Sequence, residues 1–223
     1  MSSNNDSDEQ HQVLESFPGI YSVLNRNLVV EDDDTVKNLD FVSNLDVERV
    51  IITNCPNISL DFTSDVIGFC AVQCQFKAIG NLNLPKVTFL CFETNQIVDI
   101  SALSHMHCLQ FAYLGVNQIS DISSLKNLKI RELHLNENCI YDLSPLKDMT
   151  SLVMLNVNTN QIITVDSLKD LVNLYSLNIS NNNIQSLSCF QFQIGILDYD
   201  NTEITDFGIQ TQENERELIY GEI

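Results

Sequence analysis

From Leu84 to Phe190 the apolar positions of this chain repeat a compound rhythm. Val87, Leu90 and Phe92 lead to Asn95 and Ile97, then to Ile100, Leu103 and Met106. The phrase returns from Leu109, Ile130, Leu152 and Leu174. Its first half alternates apolar with polar or variable residues, the period of two of a short strand with one buried face. Its second half places apolar residues three apart, as in Ile140, Leu143, Leu146 and Met149. That spacing suits a 3₁₀ or short α turn carrying the chain back. A strand this short buries nothing alone; stacked on its neighbours about 4.8 Å apart, it joins a parallel sheet whose inner face is a continuous apolar core. The pattern predicts a coil repeated every 21 to 22 residues, bent so that the strands line its inner curve.

Asn95, Asn117, Asn138, Asn160 and Asn182 fall where the chain leaves each strand. Backbone groups at such a corner cannot all pair within the sheet, and a side-chain amide supplies both donors and acceptors to them and to the next coil. The five asparagines therefore form a ladder, with Cys55, Cys74 and Thr202 in the same phase.

Looser units flank the central ones. Val47, Val50 and Ile52 begin one; Val66, Phe69, Ala71, Phe76, Ile79 and Leu82 make the next; Ile194, Leu197, Tyr199, Ile204 and Phe207 make the last. The expected organisation is a disordered polar and acidic leader over 1–12, an N-terminal cap over 13–46, repeats over 47–209 and a C-terminal cap or tail over 210–223. Within the first cap, Leu14, Phe17, Ile20, Val23 and Leu24 predict a short helix or broken turn. Leu28-Val29-Val30 reads as an atypical strand, and the acidic run Glu31-Asp32-Asp33-Asp34 as a solvated turn. Leu218, Ile219 and Tyr220 are placed to cover the last core edge.

The spacing L-x-x-L-x-L-x-x-N-x-L resembles that of the leucine-rich repeat, in its 22-residue class. The resemblance implies an α/β solenoid: a right-handed horseshoe of about eight repeats, with a concave parallel sheet and short 3₁₀ or α turns on the convex side. Asp99-Ile100-Ser101-Ala102-Leu103, Asp121-Ile122-Ser123-Ser124-Leu125 and Asp142-Leu143-Ser144-Pro145-Leu146 resemble the outer segment of bacterial internalins. The repeat length is also similar to that of the leucine-rich regulatory subunit of protein phosphatase 1. These likenesses imply a protein-binding role, as an adaptor, a phosphatase regulator or an internalin-like surface or secreted effector.

Charge narrows the partner. Thirty acidic against eleven basic residues give −19, which opposes binding to a phosphate backbone and favours a protein partner with a basic face. Seven cysteines, an odd number, and the polar start Met1-Ser2-Ser3-Asn4-Asn5 argue against export, and no apolar run reaches the length of a membrane span. A cytoplasmic or nuclear monomer is expected.

In the predicted strand register the residues between the buried leucines face the concave side. One column reads Arg49, Gly68, Phe89, Phe111, Glu132, Met154, Ser176, Ile196; the next reads Ile51, Cys70, Cys91, Tyr113, His134, Asn156, Asn178, Asp198. The core does not need the exposed aromatics among them, and a contiguous apolar patch rimmed by polar groups is an interaction surface. Phe89, Phe111, Tyr113 and Met154 are the expected anchors, with Glu132 and His134 giving polar specificity.

No catalytic constellation competes with this reading. Ser123-Ser124-Leu125-Lys126 and Ser144-Pro145-Leu146-Lys147 match S-x-x-K, but they occupy equivalent repeat positions. His105, His107 and Cys108 lack a fourth ligand at sensible spacing. No enzyme activity, metal or cofactor is expected.

Overall fold

The computed structural model describes residues 21–210, in which the rhythm becomes one ten-stranded sheet whose strand order follows the sequence. β1 (Tyr21–Leu24) pairs antiparallel with β2 (Asn27–Glu31). Every later pairing is parallel, through β3 (Arg49–Thr53), β4 (Gly68–Val72), β5 (Phe89–Cys91), β6 (Phe111–Tyr113) and β7 (Glu132–His134). The stack closes with β8 (Met154–Asn156), β9 (Ser176–Asn178) and β10 (Ile196–Asp198). Outer 3₁₀ turns run over Asp40–Asn44, Ser101–His105, Ser123–Leu125, Ser144–Leu146 and Asp166–Leu168.

The alternation buries one face of each strand. Leu90 with Phe92, Ala112 with Leu114 and Leu133 with Leu135 are fully buried, together with Ile100, Ile122 and Leu143 from the return segments. Where the N-terminal units lack leucines, phenylalanines fill the space: the Phe69 ring lies 5.8 Å from Phe62 and 5.5 Å from Phe92, and Phe76 lies 6.1 Å from Phe92. Such tilted and edge-on pairs add about 0.5–1.5 kcal/mol each beyond the area they bury.

Three expectations are corrected. Tyr21–Leu24 is a strand of a hairpin, not part of a helix, and β2 already stands in parallel register with β3, so the array begins ahead of the boundary expected at 47. Nine parallel strands result, in keeping with the expected solenoid of about eight repeats. In the acidic run, Asp33 is only 6% exposed, and its Oδ1 accepts hydrogen bonds from the Thr35 N–H and hydroxyl at 2.8 and 2.6 Å. It stands five residues after Leu28, in the phase of the ladder. The expectations for 1–12, for 13–20 and for Leu218, Ile219 and Tyr220 lie outside the described residues.

The ladder bonds in two directions. Asn138 Nδ2 donates to the Leu114 carbonyl of the preceding coil at 3.0 Å and to Leu135 and Asn136 of its own at 3.1 Å. Its Oδ1 accepts from the Ile119 N–H at 2.9 Å. Asn117, Asn160 and Asn182 repeat this set, and Asn95 Oδ1 accepts from both Cys74 and Phe76. Cys55 and Cys74 make longer bonds of the same kind: the Cys55 thiol reaches the Val30 carbonyl at 3.7 Å and the Cys74 thiol reaches Ile52 at 3.8 Å. Thr202 bonds within its own coil, to the Tyr199 carbonyl at 2.6 Å.

One residue ahead of each ladder position the backbone is left-handed. Asp32, Asn54, Gln73, Thr94, Val116, Glu137, Thr159, Asn181 and Asn201 all have φ between 51° and 58°. The geometry lets that residue's N–H pair forward while the next side chain tucks inward; Val116 donates to Asn136 and Glu137 to Asn158, each at 2.9 Å. Only glycine, asparagine and aspartate enter this region at low cost, and a β-branched side chain there is strained.

Three substitutions test the corner. Asn138→Ala is expected to cost about 1 to 3 kcal/mol in urea unfolding, because buried carbonyls and an N–H lose their partner. Asn138→Asp, which turns a carboxylate toward three carbonyls, is expected to cost more. Val116→Asn removes a β-branched residue from the left-handed region and is expected to stabilise by about 1 kcal/mol, a rise of about 2–4 °C in the thermal midpoint. A lower midpoint would show that the exposed Val116 side chain supports the corner in some other way.

Candidate functional site

The parallel register turns the non-core face into a lattice of rows. One row runs Val29, Ile51, Cys70, Cys91, Tyr113, His134, Asn156, Asn178, Asp198 across nine strands. Its parallel neighbour runs from Asn27 through Arg49, Gly68, Phe89, Phe111, Glu132, Met154 and Ser176 to Ile196. The face is thus mixed at one end, where Asn27 and Arg49 stand beside Val29 and Ile51, aromatic in the middle, and rich in amides and acids at the other.

At the centre the side chains organise one another. The Phe89 ring packs diagonally across two strands on Tyr113, centroids 5.3 Å apart and planes tilted by 37°. Tyr113 in turn packs on His134 at 4.6 Å and 31°. The Tyr113 hydroxyl donates to Glu132 Oε1 at 2.6 Å, and His134 Nε2 lies 3.0 Å from the same oxygen. Four of the six expected site residues therefore form one connected unit. Phe111 stands between Phe89 and Glu132 in its row, half-buried, and Met154 continues the row beyond Glu132. Phe89 is 37% exposed, so the stack is open to solvent at this end.

Burial first, and then the hydrogen bond and charge of Glu132, push the Tyr113 hydroxyl up to about 12. The neutral phenol is thus the form the folded state favours.

Sequence columns did not reveal the diagonal contact, which depends on side-chain direction. They also passed over Tyr175, 55% exposed, whose ring occupies the space above Gly195, where an added Cβ would lie 2.1 Å from it. A glycine next to a core position was the available signal.

The other candidates have structural roles. Ser123 and Ser144 donate their N–H groups to Asp121 and Asp142, each at 2.8 Å, which starts the outer turns. His105, His107 and Cys108 sit exposed on an outer turn, and among the described residues no group of three metal-ligating side chains converges. No described helix is long and apolar enough to cross a membrane.

No protein-family model matches the sequence, and no curated protein matches it. Among solved structures, internalin C2 of Listeria monocytogenes superposes with a TM-score of 0.60, at 23% identity, over 82% of this chain and 80% of that one. Internalin F of the same organism gives 0.53 at 20% identity, over 91% and 87%. The fold is that of the leucine-rich repeat. Human trophoblast glycoprotein, at 0.61 and 16% identity over 81% and 79%, shares it. Identities this low carry the leucine-rich repeat architecture and leave the partner to be argued from the face itself.

The Tyr113 assignment is open to direct test. In an absorbance titration of phenolate formation, Tyr113→Phe should delete a transition near pH 12. Glu132→Gln should move that transition down without bringing it to the ordinary value near 10, since burial remains. Because the folded-state value is raised, Tyr113 stabilises the fold fully below about pH 10 and loses that contribution as pH climbs through 12. A Glu132→Gln titration unchanged from wild type would break the link between the two side chains.

Proposed function

We propose that this leucine-rich repeat chain is an adaptor or regulatory subunit that captures a protein partner on the concave face of its sheet and performs no chemistry of its own. Phe89, Phe111, Tyr113 and Met154 anchor the partner, with Glu132 and His134 setting polar specificity. The observation that carries this reading is the connected unit of Phe89, Tyr113, His134 and Glu132, left on a face the core does not use. Mutual packing holds these side chains in place before any partner arrives, so little rotamer freedom remains to be lost on binding. Large rigid aromatics are the residues that dominate interface energetics.

Charge supports a partner with a basic face. The chain carries −19, and from Asp170 to Gln210 it holds no lysine or arginine while Asp198, Asp200, Glu203 and Asp206 gather in the last coil. A cytoplasmic or nuclear setting is supported by the cysteines, all free among the described residues even where two share a register. A narrower role as a phosphatase regulator is supported by the adjacency of concave aromatics and acids, and co-purification of a phosphatase catalytic subunit would select it. Recovery of the chain at the cell exterior would select an internalin-like effector instead.

Affinity capture with quantitative mass spectrometry tests the surface. Phe111→Ala combined with Tyr113→Ala should keep the wild-type circular dichroism spectrum and lose the specific partners, each anchor contributing roughly 2 kcal/mol, or about 30-fold in affinity. Wild-type partners recovered at wild-type strength would remove the patch as the docking site.

A further inference from the structure

Two thiols stand next to Tyr113 in its row, outside the proposed anchors. Cys70 on β4 and Cys91 on β5 are direct partners in the parallel register, in a row where neighbouring Cα atoms are about 4.8 Å apart. That separation lies within the roughly 4.4–6.8 Å over which a disulfide can close. Both thiols are free. Cys70 is half-buried and Cys91 is largely buried at 7% exposed, both on the face of the strands opposite Phe69 and Leu90 of the core.

We propose that Cys70 and Cys91 form a vicinal dithiol site that a small hydroperoxide oxidises to a disulfide joining β4 to β5.

The chemistry needs one thiolate and one thiol, and the contact between the two sulfurs favours that split. Its interaction with Cys91, ahead of burial, drives the Cys70 proton affinity up, while the Cys91 thiol is pulled down by the same contact against the opposing effect of burial. The thiolate at Cys91 attacks one peroxide oxygen, the O–O bond breaks, and the expelled hydroxide takes up a proton to leave as water. The sulfenic acid so formed is attacked by the Cys70 sulfur; the S–O bond breaks, an S–S bond forms, and the Cys70 proton departs with a second water. Each sulfur loses one electron, and the peroxide is reduced by two.

The other cysteines of these coils are poorly placed to compete. Cys55 and Cys74 also lie on adjacent coils, but both are fully buried and donate to backbone carbonyls, which leaves no path for an oxidant. Burial pushes the Cys74 thiol up to about 11, so it holds its proton at neutral pH. Cys108 and Cys139 are exposed but stand on separate coils without a partner in register. Cys91 is the direct neighbour of Tyr113, so the bridge would form beside the aromatic unit. The proposal does not rest on the docking reading.

The test uses the full chain with Cys108→Ser and Cys139→Ser, which removes the two exposed thiols. The protein is treated with equimolar hydrogen peroxide, alkylated, digested and sequenced by tandem mass spectrometry. The expected product is a Cys70–Cys91 linkage lacking two hydrogens and restored to two alkylated cysteines by dithiothreitol. Adding Cys70→Ser should abolish the linkage and leave Cys91 trapped by a sulfenic acid reagent. Recovery of Cys70 and Cys91 both as free alkylated thiols, under conditions that fully oxidise glutathione, overturns the proposal. So does a linkage formed between Cys55 and Cys74 instead.

Discussion

The corner at the end of each strand is the constraint on which the molecule depends. A chain that reverses direction every ten residues or so would leave backbone donors and acceptors buried without partners, at about 1–3 kcal/mol apiece. Here a left-handed residue sends its N–H forward to the next coil, and the side chain after it sends an amide back to the previous one. Each coil is thereby bonded to both neighbours at the same point. Once that point is fixed, strand register has no freedom to slip, because a shift by one residue would carry the leucines to the outer face.

Strict register is also what makes a binding face. Side chains separated by 21 or 22 residues in sequence become direct neighbours, so chemical character can vary smoothly across the sheet while the core beneath stays uniform. Lys126, Lys147 and Lys169 follow the outer turns, whereas Glu132, Asp198 and the amides Asn156 and Asn178 stand on the sheet. The acidic Asp198 on β10 also suits a strand with no neighbour beyond it among the described residues, since charge on an edge opposes pairing with another chain.

Much of this was legible before any coordinates. Spacing of two followed by three reports burial, and burial is what periodicity encodes, so the strands, return turns and asparagine ladder were all readable from residue type. The left-handed corner was hidden, because the residues that occupy it are Asp, Asn, Gln, Thr, Val and Glu, and no common side chain announces the backbone. Asp33 was misread for a related reason: three acidic neighbours masked a residue whose phase, five after Leu28, matched the ladder. The hairpin of β1 and β2 was lost because apolar spacing over a few residues fits a helix as well as a strand. At the candidate site the columns named the right residues but not their connection, which runs diagonally from Phe89 to Tyr113 and is set by ring orientation.

The cysteines show how far position in the coil, rather than residue type, decides chemistry. Cys55 and Cys74 stand at the corner, where a thiol substitutes weakly for an amide: it donates to carbonyls of both coils, and burial holds its proton on. Cys70 stands four residues before Cys74 on the same coil, facing the other way, and meets Cys91 instead of a carbonyl. With no backbone acceptor to satisfy, the two thiols perturb each other, which separates their proton affinities. The corner thus uses sulfur as a weak hydrogen-bond donor, and the strand face sets two thiols side by side.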